Sequence, residues 1–210
     1  MTPPFDSAAY WEQRYRTGGN SGTGSYGRLA RFKAAFVNAC VRANGVASVL
    51  DLGCGDGNQA ALLDVPDYLG VDVSVSTIAR CRARFAGDAR RRFQHADLPA
   101  PAAELALSMD ILFHLVEDTV FDAYLDRLFG IATRYVLVYA SNVDLAWPAA
   151  HVRHRAFTPV VAARHPDWRL AAHIPNLFPY DPAQPDETSF ADFFVYARPG
   201  ERCMLEIPSG

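Results

Sequence analysis

The sequence predicts one α/β domain built on a doubly wound, mostly parallel seven-stranded sheet with an antiparallel edge strand. First, seven short apolar runs typical of strands recur along the 210 residues, and helical patterns alternate with the earlier ones. Second, the last two runs have no helical pattern between them, which favours an antiparallel pair at one edge. Third, half of the residues are hydrophobic, so a chain of this length can bury one core.

Two helices are predicted before the first strand. Residues 8–17 place Trp11 and Tyr15 one turn apart, and residues 27–43 repeat apolar side chains at helical spacing, with Arg and Lys on the outside. The ten residues GGNSGTGSYG between the helices are rich in glycine and serine, which predicts a flexible loop. We therefore expect an N-terminal unit, residues 1–44, and a core, residues 45–210, within one compact domain.

From residue 45 onward, strands and helices are predicted to alternate. The predicted strands are ASVLDLG, YLGVDV, RRFQHAD, ELALSMDILF, RYVLVYAS, WRLAAHI and FADFFVYAR. The predicted helices are NQAALLD, VSTIARCRARFA with Ser74 as its cap, and EDTVFDAYLDRLFG. Residues 141–159 are predicted to form a long connection, and a proline-rich segment joins the last two strands.

Composition and charge disfavour several classes of function. The formal net charge is -3 and the sequence pI is near 6.0, so no overall positive field favours nucleic acid as a partner. The four cysteines lack C-x-x-C spacing, which disfavours a disulfide framework and a thiolate zinc site. The start has no basic segment followed by an apolar core, and no run is long enough to cross a bilayer. We expect a cytoplasmic protein that does not bind membranes.

The segment VLDLGCGDGN, residues 49–58, predicts a ligand site. It ends a predicted strand in Asp51 and then places Gly53, Gly55 and Gly57 at equal spacing. Glycine costs backbone entropy, so this concentration indicates unusual dihedral angles or a close approach to a ligand. In a doubly wound sheet, ligands bind at the carboxyl ends of the strands. The spacing departs from the G-x-G-x-x-G of dinucleotide sites, and a carboxylate there would repel a pyrophosphate but tolerate a cationic ligand.

This segment and three later ones resemble the class I S-adenosylmethionine-dependent methyltransferases, whose first motif has the form (V/L)-L-D-L-G-x-G-x-G. GVDVS places Asp72 at the end of the second strand, QHADL places Asp97 after the third, and MDILFHL matches the fourth-strand motif. The resemblance covers residues 45–142 by motif and the remainder by strand pattern. It implies a Rossmann-like methyltransferase fold, S-adenosyl-L-methionine as cofactor, S-adenosyl-L-homocysteine as product, and an N-terminal lid over the cofactor.

The resemblance also implies roles for individual residues. Asp51 would serve the ammonium group of the cofactor, Asp72 the ribose hydroxyls, and Asp97 the adenine amino group with the backbone of Leu98 nearby; ionised carboxylates suit these donors because they only accept hydrogen bonds. No metal is expected. The complete predicted cofactor-binding set is Asp51, Gly53, Cys54, Gly55, Gly57, Asn58, Asp72, Val73, Asp97, Leu98, Met109 and Arg28.

Catalysis and acceptor binding are predicted from residues beside these motifs. Methyl transfer depends mainly on orientation and on exclusion of water. His114 is the candidate base because the ordinary pKa of histidine lies near working pH; the alternative is a packing residue. Arg153 and Arg155 indicate an anionic substrate, or else a solvated basic loop. The predicted substrate-binding set is Trp11, Tyr15, Tyr26, His114, His151, Arg153, His154, Arg155 and Tyr180.

The leading hypothesis is a methyltransferase that acts on oxygen or nitrogen of a small metabolite, anionic if the two arginines bind it, such as a sugar or a natural-product intermediate. The alternatives are methylation of protein or RNA, a dinucleotide-dependent oxidoreductase of the NAD type, and a non-catalytic nucleoside-binding module. The sequence predicts neither the identity of the acceptor, nor the methylated atom, nor the oligomeric state.

Overall fold

A seven-stranded sheet forms the centre of this computed structural model, which describes residues 5–205. The strands are β1 Ser48–Leu52, β2 Asp67–Asp72, β3 Arg91–His95, β4 Ala103–Met109, β5 Ala132–Ala140, β6 Arg169–Ile174 and β7 Asp192–Ala197. The α-helices of this part of the chain are α1 Ser7–Arg16, α2 Gly27–Ala43, α3 Val75–Arg84, α4 Asp118–Ile131 and α5 Thr158–Arg164.

The strand order, β3-β2-β1-β4-β5-β7-β6, confirms the predicted doubly wound sheet. Strands β1 to β5 are mutually parallel, whereas β7 is antiparallel to both β5 and β6. The antiparallel strand therefore lies one position in from the edge. The chain winds outward from β1 in both directions, first to β2 and β3 and then to β4 and β5. The junction of β1 and β4 is thus the switch point at which such sheets bind ligands.

Two hydrophobic layers cover the two faces of the sheet. Successive residues of a strand point to opposite faces, so Val49 of β1 packs with Phe36 of α2 while Leu50 packs with Leu125 of α4. Helices α2 and α3 cover the first face, and α4 and α5 cover the second. Both faces are buried, as a parallel sheet requires.

The structure departs from the predicted elements at three places. The predicted strand ELALSMDILF ends at Met109 and is followed by a 3-10 turn, Leu112–His114. The segment NQAALLD forms a single 3-10 turn, Ala60–Leu62, and the backbone is already extended at Leu63, shortly before Pro66, whose ring disfavours helical backbone in the residue that precedes it. Helix α5 begins at the end of the predicted long connection and continues into residues for which no element was predicted; Pro159 occupies its first turn. Elsewhere the agreement is close: α2 spans the predicted 27–43, and the Ser74 hydroxyl caps α3 by accepting from the amide of Thr77.

No helix within residues 5–205 is both long and apolar enough to cross a membrane. The cellular location stays a prediction.

Candidate active site

A cavity of about 400 Å³ opens where the carboxyl ends of β2, β1 and β4 lie side by side. This volume falls within the roughly 300–1,000 Å³ typical of small-molecule sites. Helix α1 covers the cavity, and α4 forms one wall. The strand ends contribute Asp51, Leu52, Gly53, Cys54, Gly55, Val71, Asp72, Val73, Met109, Asp110 and Ile111.

The turn after β1 requires glycine for two separate reasons. Gly53, Gly55 and Gly57 have φ values of +91°, +57° and +75°, a region that side chains rarely adopt. A Cβ atom at Gly53 would also overlap the side chain of Ile111, and one at Gly57 would lie 2.9 Å from the ring of Phe85. Gly53 and Gly55 line the cavity, whereas Gly57 packs against α3 and its flank.

Asp51 presents an unpartnered oxygen in the cavity wall. The residue is 2% exposed, and its Oδ2 accepts a hydrogen bond of 2.7 Å from the hydroxyl of Tyr68. Its Oδ1 is buried and has no hydrogen-bond partner among the described residues. Burial raises the pKa of Asp51 to about 6, against the lowering effects of the Tyr68 hydrogen bond and the charge of Lys33.

Gln59 supplies a second unpartnered acceptor. Its Nε2 donates to the carbonyl oxygen of Ala30 at 3.0 Å, whereas its Oε1 is buried without a partner in residues 5–205. Gln59 lines the same cavity as Asp51. Sequence reasoning missed it, although it directly follows the glycine turn. Ligand N–H donors that reach these oxygens would satisfy them.

Asp72 closes the β2 side of the cavity. Its two carboxylate oxygens accept hydrogen bonds from the amides of Gly55 and Ser74, at 3.0 and 2.9 Å. Burial raises the pKa of Asp72 to about 6, although both amide bonds act to lower it. Each carboxylate oxygen can accept a further hydrogen bond, so Asp72 can bind a ligand that carries hydroxyl groups. Val73 lines the cavity beside it.

Asp97 and Leu98 do not line the cavity, contrary to the prediction. The Asp97 side chain is 89% exposed, and Leu98 is half exposed. The guanidinium of Arg127 donates to the carbonyl oxygens of Ala96 and Leu98, at 2.6 and 3.3 Å, which holds this backbone against α4. Ala96 and Arg127 contact the cavity instead. A role for Asp97 in ligand binding stays a prediction.

Helix α1 and the loop that follows it lie over the glycine turn. This loop, residues 17–26, is called the lid. The Ser21 amide donates to Asp56 at 2.8 Å, the Asp56 amide donates back to the Ser21 hydroxyl at 2.9 Å, and the Tyr26 hydroxyl donates to Asp56 at 2.8 Å. Asn58 Nδ2 donates to the carbonyl oxygen of Ser25 at 2.8 Å. Tyr26 and Asn58, both predicted to contact ligands, therefore hold the lid instead and do not line the cavity.

Trp11 and Tyr15 of α1 line the cavity, and their role in substrate binding stays a prediction. The carboxylate of Glu12 between them accepts hydrogen bonds from the hydroxyls of Ser74 and Ser76, at 2.6 and 2.5 Å, and thereby fixes α1 to the first turn of α3. The helical spacing of the two aromatic residues thus corresponds to one face turned towards the site.

Lys33 and Asp110 form a buried ion pair that the sequence did not reveal. Lys33 is 1% exposed, although the helical pattern predicts it on the outside of α2; its Nζ bonds Asp110 Oδ2 and lies 5.3 Å from the ring centroid of Tyr139. Lys33 can be buried because the ion pair and the aromatic ring compensate the loss of hydration of its ammonium group. Both charged residues line the cavity.

His114 lines the cavity, but its electrostatic properties differ from the prediction. Its Nδ1–H donates to the carbonyl oxygen of His151 at 3.0 Å, because a carbonyl only accepts; Nε2 is therefore unprotonated in the neutral ring. Burial lowers the pKa of His114 to about 4, well below the working pH expected for it. At neutral pH His114 is an uncharged acceptor and a weak base. Its ring contacts Trp11 edge-on, with centroids 4.9 Å apart.

The basic loop after β5 has a structural role in this protein, which differs from both predicted alternatives, an anion-binding loop and a solvated basic loop. Arg155 donates to the carbonyl oxygens of Leu115 and Val116, both at 2.7 Å, and Arg153 donates to that of Val116 at 2.9 Å. Both guanidinium groups also pair with Asp118 at 3.0 Å. Neither arginine lines the cavity. These terminal guanidinium nitrogens are used by the protein itself and hold the segment after β4, whereas Arg155 Nε is buried without a partner among the described residues.

Four other predicted site residues also lie outside the cavity lining. His154 is buried, and its Nδ1 is 2.7 Å from the hydroxyl of Ser141; His151 stacks on the ring of His114, with centroids 5.5 Å apart. Arg28 donates to the backbone of Glu187 at 2.6 Å, on the outer side of the lid. Tyr180 packs edge-on against a tryptophan of the β5–α5 connection.

We expect Arg155→Lys to lower the free energy of unfolding by about 1–3 kcal/mol, because a lysine cannot bond two carbonyls and Asp118 in the same fork geometry. Arg153→Lys is the matched control: its side chain is 46% exposed, so we expect a change within about 0.5 kcal/mol. Urea unfolding measures both. Equal losses of unfolding free energy for the two variants would contradict the structural role of Arg155.

Comparisons with known proteins agree with this architecture. Residues 49–134 match the family described as "Methyltransferase domain". Proteins named uncharacterized methyltransferases from Mycobacterium bovis and Mycobacterium tuberculosis are 38% identical over 96 residues, which is 42% of this chain and 47% of each relative. The match thus spans about half the length of those relatives.

Solved structures show a similar fold. Magnesium protoporphyrin IX methyltransferase from Synechocystis PCC 6803, with bound S-adenosylhomocysteine, superposes with a TM-score of 0.66 at 15% identity and covers 91% of this chain and 97% of its own. The N-methyltransferase NodS from Bradyrhizobium japonicum WM9, in complex with S-adenosylhomocysteine, has the same TM-score at 12% identity and covers 93% and 100%.

The fold is a doubly wound α/β domain with a cavity at its switch point. Residues 49–134 are thus the part of the chain that matches a methyltransferase domain, and the fold as a whole is that of the solved methyltransferases.

Proposed function

We propose that this protein is an S-adenosylmethionine-dependent methyltransferase that modifies oxygen or nitrogen of a small molecule. The observation that carries the proposal is the pair of unpartnered acceptors, Asp51 Oδ1 and Gln59 Oε1, in the wall of a cavity floored by the glycine turn. Buried acceptors without partners are costly, so a site that holds two of them suits a ligand with several donors. The α-ammonium group of the cofactor carries three.

The remaining cavity residues also fit the cofactor. The absence of side chains at Gly53 and Gly55 leaves room for the methionine chain against the backbone, and Asp72 offers acceptors for the ribose hydroxyls. S-adenosylmethionine, when bound, supplies an electrophilic methyl group carried by a sulfonium. The lid and α1 exclude water from the site, which strengthens electrostatic interactions within it.

A small-molecule acceptor is favoured by the size and cover of the cavity. Its volume is about 400 Å³, and α1 lies across it, so little room remains for a folded protein or an RNA helix once a cofactor is present. The similar structures include enzymes named for a porphyrin and for N-methylation. Because Arg153 and Arg155 are engaged by the protein, they give no support to an anionic acceptor.

Calorimetric titration with S-adenosylhomocysteine and, separately, with NADH tests this function. We expect a measurable dissociation constant for the first compound and no heat of binding for the second. A catalytic assay with S-adenosylmethionine labelled in its methyl group, against pools of small metabolites, then distinguishes an enzyme from a binding module. Binding of NADH without binding of S-adenosylhomocysteine would favour an oxidoreductase instead.

We expect the affinity for S-adenosylhomocysteine to fall about tenfold or more between pH 7 and pH 5. The reason is that Asp51 and Asp72, whose pKa values are raised to about 6, must be ionised to serve as charged acceptors, and protons compete with the ligand below that pH. Calorimetry across this range measures the effect. The variant Asp72→Asn should show a shallower dependence, and a pH-independent affinity of the wild type would contradict the assignment.

A further inference from the structure

Two cysteine side chains meet beneath the glycine turn. Cys54 belongs to the turn and Cys81 to α3, and their thiols lie within hydrogen-bonding distance of each other. The Sγ atoms of Cys81 and Cys54 are 3.3 and 3.8 Å from the carbonyl oxygen of Gly55, which accepts from both. A disulfide requires two sulfur atoms about 2.05 Å apart, so two thiols already in contact are near that geometry.

Glycine residues on both sides leave room for the two sulfur atoms. A Cβ atom at Gly70 would lie 2.6 Å from the ring of Phe93 and 2.8 Å from Cys54 Sγ, and one at Gly57 would lie 3.0 Å from Cys81 Sγ. Gly70 lies inside β2, where glycine weakens a strand and commonly marks a close approach. The backbone around the pair therefore has glycine at two positions where a side chain would collide with a sulfur atom.

The two thiols differ in their access to the cavity. Cys54 lines the cavity, whereas Cys81 is fully buried and does not. A small molecule in the cavity thus reaches Cys54 first. Contact with the Cys81 thiol, then burial, then the charges of Asp72 and Asp51 raise the pKa of Cys54 well above its ordinary value. Cys54 is therefore protonated at neutral pH, and its reactions with oxidants are slow.

We propose that Cys54 and Cys81 form a dithiol modification site, which a hydroperoxide that enters the ligand-free cavity oxidises to a disulfide. The Cys54 sulfur attacks one peroxide oxygen as the O–O bond breaks, which gives a sulfenic acid and releases water or an alcohol. The Cys81 sulfur then attacks the Cys54 sulfur, the S–S bond forms, and the hydroxyl group leaves as water with the Cys81 proton. The two thiols lose two electrons, and the peroxide gains them.

The disulfide alters the part of the turn that faces the ligand. Cys54 lies between Gly53 and Gly55, which line the cavity, and the Gly55 amide donates to Asp72 at 3.0 Å. The S–S bond removes both thiol donors from the Gly55 carbonyl oxygen and draws the turn towards α3. This consequence rests on the proposed function, in which the turn and Asp72 bind the cofactor. The oxidised protein then binds S-adenosylhomocysteine more weakly than the reduced protein.

Diamide is the probe for this site, because it takes two electrons and two protons from a pair of thiols and becomes a hydrazine. Mass spectrometry of a non-reducing tryptic digest identifies a link between Cys54 and Cys81, and calorimetry measures the affinity for S-adenosylhomocysteine. We expect the link to form in the wild type and the affinity to fall at least about tenfold, with recovery in dithiothreitol.

The bound ligand should protect the pair from oxidation, because it covers the cavity wall that Cys54 forms. At a concentration of S-adenosylhomocysteine about ten times its dissociation constant, we expect diamide to form the link about tenfold more slowly, since only the ligand-free fraction reacts. An equal rate with and without the ligand would overturn the proposed route of access through the cavity.

Cys81→Ser tests the pair, because the serine hydroxyl can still donate to the Gly55 carbonyl oxygen but cannot form a disulfide. We expect this variant to bind S-adenosylhomocysteine within about twofold of the wild type, and to bind it equally well after diamide. If it does not fold by circular dichroism, Cys81→Ala replaces it. The matched control is Cys40→Ser, which changes another buried cysteine, outside the cavity lining, and should keep the full loss of affinity.

The outcomes separate this inference from the function on which its consequence rests. Absence of the Cys54–Cys81 link in wild-type protein treated with diamide overturns the inference. A link that leaves the affinity unchanged, or an equal loss of affinity in Cys81→Ser, overturns the effect of the disulfide on the ligand. Failure of the reduced wild type to bind S-adenosylhomocysteine overturns the proposed function, whereas formation of the link is measured without any ligand.

Discussion

Replacement of Asp51 by asparagine is expected to make the ligand-free protein more stable and to weaken its binding of S-adenosylhomocysteine at least about tenfold. Asparagine can still accept the hydrogen bond from Tyr68, but it removes the buried charge that the ligand ammonium would neutralise. The rise of the Asp51 pKa from 3.8 to about 6 means that ionised Asp51 opposes folding. The gain in unfolding free energy at pH 8 should be on the order of 3 kcal/mol.

The stability gain of Asp51→Asn should depend on pH. A carboxyl group whose pKa is raised in the folded state favours folding while it is protonated, and this contribution is lost as the pH rises through about 6. The stability difference between Asp51→Asn and wild type should therefore be small near pH 4 and largest above pH 7. Urea unfolding across this range measures the difference, and calorimetry measures ligand affinity.

Asp67→Asn provides the control for Asp51→Asn. Asp67 begins β2, its side chain is half exposed, and it pairs with Arg92 at the surface. We expect this variant to change neither the pH dependence of stability nor the affinity. A stability difference for Asp51→Asn that is constant with pH would contradict the effect of burial. Unimpaired binding of S-adenosylhomocysteine would show that Asp51 Oδ1 is not a ligand acceptor.

Gly53→Ala is expected to destabilise the protein and to disrupt the cavity. The φ of +91° costs an alanine about 1–2 kcal/mol, and overpacking against Ile111 adds typically 1–3 kcal/mol. Because Ile111 lines the cavity, its displacement should also weaken binding of S-adenosylhomocysteine by about tenfold or more. Thermal unfolding and calorimetry measure the two effects.

Gly87→Ala is the matched control, since a Cβ atom there meets nothing within 4 Å and the backbone is not left-handed. Its stability should stay within about 0.5 kcal/mol of wild type or rise slightly. The double variant Gly53→Ala/Ile111→Ala separates the two costs. It removes the overlap between the new Cβ atom and the Ile111 side chain, and it leaves the cost of the positive φ at residue 53. Full additivity of the two substitutions would indicate that Gly53 and Ile111 are not in steric conflict.

Candidate cavity residues could be identified from the sequence where a short segment fixes its own backbone geometry. The glycine turn, Asp51 and Asp72 follow strands whose apolar runs are visible in the sequence, and the carboxyl ends of parallel strands meet at one edge. The spacing of Trp11 and Tyr15 predicts the helix that carries them, whereas their place at the site was implied by the family resemblance. Prediction was poorer for Arg153 and Arg155, because a guanidinium in a loop binds whichever acceptors lie nearest, and those acceptors belong to the segment after β4.

The sequence by itself determined the elements, the doubly wound sheet and the site of the ligand turn, because periodicity and glycine act through near neighbours in the chain. Only the tertiary structure decided which charges are buried and with what partner. Lys33 and Asp110 are 77 residues apart, and Gln59 and Ala30 are 29 apart. The pKa of a group and the fate of its hydrogen bonds depend on such distant contacts, since burial and pairing are properties of the packed chain.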